Sequence, residues 1–387
     1  MYKILTLNAI SAKGLDRLPH ENYEISSEIQ HPDGILVRSQ KMHDMEVPST
    51  LKAIGRAGAG VNNIPVDKMT EQGICVFNAP GANANAVKEL VLAGMLMASR
   101  NVVQGWNYVQ DLDGDDAQLH KDVEAGKKKY KGFELPGRTL GIIGLGAIGV
   151  KVANAAVALG MNVIGFDPGM TVERAWELDA SVKQAAGIDD LLAKSDFVTF
   201  HVPLVEGTKH LINEERLNFM KNDVVVLNFA RDGIVDETAM KKALDEGKAY
   251  AYVTDFPSND LKSHDRCVAL PHLGASTEEA EDNCAIMVAD QVRDYLENGN
   301  ITNSVNFPEV KLPRNGASRI AVVNQNRPDM VGQISHIIGD SNINIVHMVN
   351  ESRDEVAYTL LDVDGEVADE IVEALQTIEG VLNVRVL

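Results

Sequence analysis

Residues 140–149 read LGIIGLGAIG: an apolar run enters a turn with glycines at 144, 146 and 149, and a second apolar run, NVIGFD, ends at Asp167. No other feature constrains the fold as tightly, because the order is strand, tight turn, helix start, strand and acid. Each glycine has its own physical task. Gly144 permits the turn, Gly146 lets a pyrophosphate approach the backbone, and Gly149 lets the helix lie close to the sheet. Ala147 and Ile148 then begin a helix whose N-terminal N–H groups attract phosphate. Asp167 stands 18 residues beyond Gly149, near the separation at which a carboxylate meets the adenosine ribose hydroxyls. A bare GxGxxG is weak evidence. In this context it predicts a doubly wound α/β domain that holds a dinucleotide. NAD is the expected form, since Asp167 repels a 2′-phosphate and Pro-Gly-Met follows it, although Arg174 is near enough in sequence to keep NADP open.

At 387 residues the chain accommodates two or three domains with sizeable cores. A formal net charge of −20 argues against nucleic acid or an anionic membrane as partner, because both reward clustered Lys and Arg. Anionic ligands would need cations focused locally. The opening MYKILTLN reads as a first strand rather than a signal peptide, and no run of about 18 apolar residues is long enough to span a bilayer. Cys75, Cys267 and Cys284 are scattered and lack metal-ligand spacing. They read as reduced structural thiols of a cytosolic protein, with no metal expected.

Before the glycine turn, YKILTL, GILVRS (34–39), LKAIGRAG (51–58) and GICVFN (73–78) read as buried parallel strands separated by helices. The segment from Ala84 to Arg100 is a long, mostly apolar helical pattern, as suits a helix buried between domains. After the turn come the strands NVIGF, DFVTFHVP, DVVVLNFA, AYAYVTDF and CVALPH, again alternating with helices. Residues 277–299 form a helix with Thr277 as N-cap and Gly299 as stop. Two prolines and a glycine in FPEVKLPRNGAS (307–318) mark a domain boundary. The tail then reads βαββαβ, a small ferredoxin-like sandwich.

Taken together, GLGAIG, HVPL (201–204), NFARDGIVDE (228–237) and PHLGAST (271–277) resemble the D-isomer-specific 2-hydroxyacid dehydrogenase family. RAGAGVNNIPVD (56–67), NAPGANANAV (78–87) and the tail are similar to the branch acting on 3-phospho-D-glycerate, whose tail is an ACT domain that senses serine. The resemblance covers essentially the whole chain. It implies an α/β protein with two doubly wound parallel sheets: a Rossmann-type cofactor domain (99–280) inserted in a discontinuous flavodoxin-like substrate domain (1–98 and 281–308). A linker (309–317) and the ACT domain (318–387) follow. It further implies a homo-oligomer, dimer or tetramer. The implied reaction is NAD-dependent oxidation of 3-phospho-D-glycerate to 3-phosphooxypyruvate, the first step toward L-serine.

That chemistry needs a base, a cation and a hydride acceptor. His272 follows a strand and has an imidazole suited to take the hydroxyl proton near neutrality. Arg231, at another strand end, offers a planar fork for the substrate carboxylate. Asp232 stands where the family has glycine, and by pairing with Arg231 it would compete with substrate. Asp255 matches the family's strand-end aspartate, an expected neighbour of the nicotinamide amide. The family places a glutamate five residues later that hydrogen-bonds the histidine; here Asp260 stands there, one methylene shorter. Asp260 is the first choice for that role, Asp265 is a second, and the absence of any acid partner stays open. Phe229, Ala230 and Gly274 complete the implied cofactor contacts, and His201 shapes the cleft.

For the substrate's anions, the main-chain N–H groups of Ala57, Gly58, Ala59 and Gly60 form an expected nest for the carboxylate. Arg56 and Arg38 are the expected phosphate cations, with Lys41 close behind; Arg100 and the run 127–131 are weaker candidates. Asn324, Asn326 and Asn344 match positions where the ACT family binds serine across a paired interface, amides offering both donor and acceptor. Two departures stand in that tail: Asn324 replaces a commonly seen histidine, and Asp329 replaces a glycine. Two other readings stay open: another D-2-hydroxyacid dehydrogenase or 2-oxoacid reductase, and an NAD-sensing regulator that has lost catalysis.

Overall fold

The computed structural model describes Met1–Leu387, and the chain divides into two compact units, Met1–Asn83 with Glu278–Leu387 and Ala84–Thr277. In the first unit, β1 (Tyr2–Leu7), β2 (Tyr23–Ser26), β3 (Gly34–Val37), β4 (Ala53–Arg56) and β5 (Cys75–Phe77) form a parallel sheet in the order β2-β1-β3-β4-β5. That is the flavodoxin-like order. Ile35, Ile54 and Val76 feed one hydrophobic layer, and Ile4, Leu36, Ala53 and Phe77 feed another. Burial on both faces explains why these strands read as continuous apolar runs.

The second unit contains β6 (Thr139–Ile143), β7 (Asn162–Phe166), β8 (Lys183–Gln184), β9 (Phe197–Phe200), β10 (Val224–Asn228), β11 (Ala249–Thr254) and β12 (Cys267–Ala269). Their order, β12-β11-β10-β9-β6-β7-β8, is all parallel and reverses beside β6. This is the doubly wound dinucleotide arrangement, with its switch point where β6 ends.

The boundary expected at residue 98 falls instead after Asn83. Helix Ala84–Arg100 presents Val87, Val91, Met95 and Ala98 to the core that also holds Leu140, Val225, Phe229 and Val253. Gly94 lets it approach closely, since a Cβ there would meet the Phe229 ring at 2.9 Å. The helix is therefore part of the cofactor unit, and its apolar character serves that core.

In the tail, β13 (Ser318–Gln325), β14 (Ile345–Arg353), β15 (Val356–Val363) and β16 (Val381–Val386) form an antiparallel sheet ordered β14-β15-β13-β16. One face carries helices Met330–Asp340 and Asp369–Gln376 over Ile320, Val322, Leu361 and Val363. The opposite face is covered along β13 and β15, while the edge strand β14 keeps exposed residues. Ala321, Val323, Val356, Tyr358 and Leu360 join the core of the first sheet and helix Glu278–Asn298. The tail keeps its own sheet and its own helix-covered core, and the apolar second face of that sheet packs into the first unit. The proline-containing linker is likewise tied down, through a bridge of Ile301 with Val310 and a bond from the Leu312 N–H to Asn300 Oδ1.

Polar bonds reinforce this seam. A helix leaves its last carbonyls unpaired, and here side chains supply the missing donors. Arg385 bonds the Tyr295 carbonyl, Tyr2 that of Leu296, Arg314 that of Glu297, Arg319 that of Asn298, and Tyr358 that of Gly299. Four of these five donors come from beyond residue 313. The guanidinium charges of the three arginines also suit the negative end of a helix dipole.

Candidate active site

The glycine turn is built as its sequence demands. Gly144 has φ +92°, and a Cβ there would press on the His201 carbonyl. At Gly149 a Cβ would collide with the Gly144 carbonyl oxygen, whereas at Gly146 it would meet nothing within 4 Å. The middle glycine therefore faces open space, as a backbone approached by a pyrophosphate must. Gly146 caps helix Ala147–Ala158 with no side-chain bond, so the first N–H groups, those of Ala147 and Ile148, remain available to phosphate. Asp167 sits at the end of β7, one oxygen accepting the Leu145 N–H at 2.7 Å and the other the Gly169 N–H at 2.8 Å. The residues present thus fit a dinucleotide.

Along the same carboxyl edge of the sheet, Asp255 follows β11, Arg231 follows β10 and His272 follows β12. Asp255 is 1% exposed. Its Oδ2 accepts the Gly274 N–H at 3.1 Å, while Oδ1 is buried with no partner. Burial raises this carboxyl above its usual range, opposed by the Gly274 bond and by the charges of His272 and Arg231. The adjacent strands β10, β11 and β12 bring Arg231, Asp255 and His272 to one edge. A buried acceptor lacking a donor is costly unless a ligand completes it; a carboxamide N–H is the kind of donor that suits Oδ1.

Arg231 is exposed, its Nη1 bonded to the Ala230 carbonyl at 2.7 Å. Asn228, a residue that the sequence reading passed over, fixes this loop. Its amide donates to the Arg231 carbonyl and its oxygen accepts the Ala230 N–H. An asparagine ending a buried apolar strand was the available signal. Asp232 does not form an ion pair with Arg231, which leaves the guanidinium free of that competitor. Ala230 is buried, and the Phe229 ring packs into the core against Gly94, so Phe229 has only its main chain to offer a cofactor.

His272 has φ +29°, a conformation that residues other than glycine seldom adopt. Its N–H is held by the Asp255 and Leu270 carbonyls at 2.9 and 3.2 Å. The structure does not bring Asp260 to the imidazole: Asp260 is exposed and shares neither a hydrogen bond nor an ion pair with it. Asp265 is not its partner either, and its carbonyl accepts from Gln104. The Asp260 side chain, one methylene shorter than the family's glutamate, does not close that gap. What touches the ring is Phe256, with centroids 4.8 Å apart and planes inclined by 50°. His201 lies at the end of β9, its Nδ1 buried and unpartnered, and burial drives its pKa down to about 3.

In the first unit, Arg38 and Arg56 stand at the carboxyl ends of the neighbouring strands β3 and β4. Arg38 pairs with Glu281 at 2.5 Å, and the Arg56 guanidinium lies over the α-carbon of Gly58, whose φ is +153°. The four-residue nest is halved. The Ala57 N–H is taken by the Val37 carbonyl, which extends the β3–β4 pairing, and the Gly58 N–H by the Arg56 carbonyl in a tight turn. Ala59 and Gly60 keep free N–H groups, and Gly60 faces open space. In the tail, Asn324 is fully buried, its amide bonded to the Gln325 carbonyl and its Oδ1 unpartnered, while Asn326 bonds the Asp354 carbonyl. Asn344 lies at the opposite end of the sheet, paired to Asp364. By strand register it is roughly 20 Å from Asn324 within one chain.

Residues 92–274 match the NAD-binding domain of the D-isomer specific 2-hydroxyacid dehydrogenases. A D-3-phosphoglycerate dehydrogenase from Methanocaldococcus jannaschii is 37% identical over 335 residues, 84% of this chain, which spans 61% of that relative's length. One from Haemophilus influenzae is 33% identical over 370 residues, 92% of this chain and 86% of the relative. An NAD+-bound 3-phosphoglycerate dehydrogenase structure from Entamoeba histolytica superposes with a TM-score of 0.62 at 27% identity, covering 79% of this chain and 98% of that one. The chain belongs to the D-3-phosphoglycerate dehydrogenase family. No helix is long and apolar enough to cross a membrane.

Proposed function

We propose that this chain oxidises 3-phospho-D-glycerate to 3-phosphooxypyruvate. NAD+ supplies the hydride acceptor for the C2 hydrogen. The observation that carries this reading is the placement of Arg231, Asp255 and His272 after the adjacent strands β10, β11 and β12, with the His272 N–H bonded to the Asp255 carbonyl, beside a glycine turn fit for a dinucleotide. His272 takes the hydroxyl proton as C2 becomes a carbonyl. Arg231 grips the carboxylate through its planar fork and fixes the direction of the C2–O bond. Asp255 Oδ1 accepts from the carboxamide and so orients the ring that receives hydride. Asp167 takes the ribose hydroxyls, which favours NAD over NADP. The N–H groups of Ala59 and Gly60 receive the carboxylate, and Arg38 and Arg56 the phosphate, Arg38 exchanging its bond with Glu281.

The tail is an ACT-type module on this reading. Since Asn344 lies far from Asn324 and Asn326 in one chain, L-serine would bridge two copies, which requires a homo-oligomer. A cytosolic setting suits the three buried, unpaired cysteines.

A substrate panel tests the assignment. With NAD+, purified protein should form NADH from 3-phospho-D-glycerate and far less from D-glycerate or D-lactate, and NADP+ should serve poorly. Preference for an unphosphorylated acid would move the protein to another 2-hydroxyacid dehydrogenase. No turnover with any acid, in either direction, would leave a nucleotide-binding regulator.

A further inference from the structure

The catalytic histidine is held without a carboxylate on its ring. Its main chain is fixed by two carbonyls and lies at φ +29°, so the Cα–Cβ direction is set by the backbone. The ring itself touches Phe256, and the Phe256 N–H is in turn held by Thr254 Oγ1 at 3.0 Å. Asp255, Phe256 and His272 thus form one connected unit: Asp255 holds the histidine's backbone, and the next residue holds its ring. The charged groups facing this unit are Asp255 and Arg231; Asp260 makes no bond to the ring.

We propose that Phe256 is the positioning residue for His272, taking over by aromatic contact the orienting task that a hydrogen-bonded acid performs elsewhere in the family. The contact suits the purpose. Centroids 4.8 Å apart lie in the range where aromatic pairs attract beyond simple burial. A flat neighbour restricts the imidazole's χ2 rotation while leaving both ring nitrogens free, one for the substrate hydroxyl and the other for water. A carboxylate would instead occupy one nitrogen and fix the tautomer. The sequence signal is Phe directly after the strand-end aspartate, in TDFP.

This inference rests on the reading of His272 as the base, and the test separates the two. Phe256→Leu should lower kcat for 3-phospho-D-glycerate about five- to tenfold, the equivalent of an aromatic pair's contribution. KM for NAD+ and the affinity for NADH should stay within twofold. Phe256→Tyr should restore most of the rate. Asp260→Asn should leave kcat and the pH profile of kcat/KM unchanged. Proton NMR supplies a readout independent of turnover: the His272 ring protons, assigned by their loss in His272→Asn, should carry a ring-current shift that disappears in Phe256→Leu. Wild-type kcat in Phe256→Leu, or a loss in Asp260→Asn as large as that in His272→Asn, would overturn the proposal. So would unshifted His272 protons in the native protein. If the native protein oxidises no hydroxy acid, the reading of His272 as base fails, while the NMR comparison still decides whether Phe256 holds its ring.

Discussion

Two arginines, Arg231 just beyond the end of β10 and Arg319 within β13, have opposite surroundings. Arg319 is fully buried, bonded bidentately to Asp362 at 2.5 and 2.8 Å and to the Asn298 carbonyl at 2.9 Å. Arg231 is exposed, bonded only to its neighbour's carbonyl, and shares its sheet edge with an unpartnered Asp255 oxygen and a strained His272. Around the first arginine polar groups are largely matched inside the fold; around the second they are left for something else to match. Buried polar groups are normally satisfied, so the unmatched edge is the proposed place for ligands, and the matched one marks where the tail is fastened. Asn324 Oδ1 and Arg385 Nη1 are exceptions in the tail.

Perturbing each region should give opposite outcomes. The largest effect belongs to the unmatched edge: His272→Ala should lower kcat by about 10²–10⁴-fold, with the melting temperature and NADH affinity nearly unchanged. A fall in stability comparable to the loss of rate would mean that His272 is structural. At the matched seam, Asp362→Ala should cost about 3–5 kcal/mol by leaving Arg319 buried and unpaired, measured by urea unfolding. An unchanged midpoint would show that the tail is not part of the first unit's cooperative structure.

Acid should act next. The His201 imidazole in the folded protein resists protonation until about pH 3, because burial disfavours the charged form, whereas the unfolded chain takes the proton near 6.5. Its contribution is complete above 6.5 and is lost as pH falls through that window. Asp362 acts in the same direction: burial works to raise it, but Arg319, the Asn315 N–H and Arg314 outweigh burial and hold it below the usual carboxylate range. Melting temperature should therefore decline below pH 6.5, and His201→Gln should flatten the slope between 6.5 and 5; an equal slope would remove His201 from the account. Smallest of all, Arg314→Ala removes two exposed bonds, to the Glu297 carbonyl at 3.5 Å and to the Leu387 carbonyl oxygen at 2.6 Å, and should change stability by about 1 kcal/mol or less.

Much of this was legible in the sequence. The left-handed φ of Gly144 and the close approach of Gly149 to the Gly144 carbonyl are local backbone sterics, readable from the spacing of the glycines. Apolar runs announced both parallel sheets, because strands buried on two faces have no polar positions to spare. What stayed hidden depends on contacts distant in sequence. The apolar periodicity of residues 84–100 could not say which core takes the helix. The tail's βαββαβ order was readable, but not the second packed face of its sheet or that face's partner, helix Glu278–Asn298. At the site, a motif located Asp260 by counting, while the loop's path turned the imidazole onto Phe256 instead. The Ala57 and Gly58 N–H groups likewise looked free in sequence and are taken by neighbouring carbonyls.

The central claim is that the unmatched edge carries out hydride transfer from C2 of a phosphorylated hydroxy acid. Deuterium tracing tests it most directly: 3-phospho-D-glycerate labelled with deuterium at C2 is incubated with the protein and NAD+, and the reduced cofactor is weighed by mass spectrometry. NADH one mass unit heavier, formed in step with 3-phosphooxypyruvate, is the predicted result. Unlabelled NADH, or none, would contradict it.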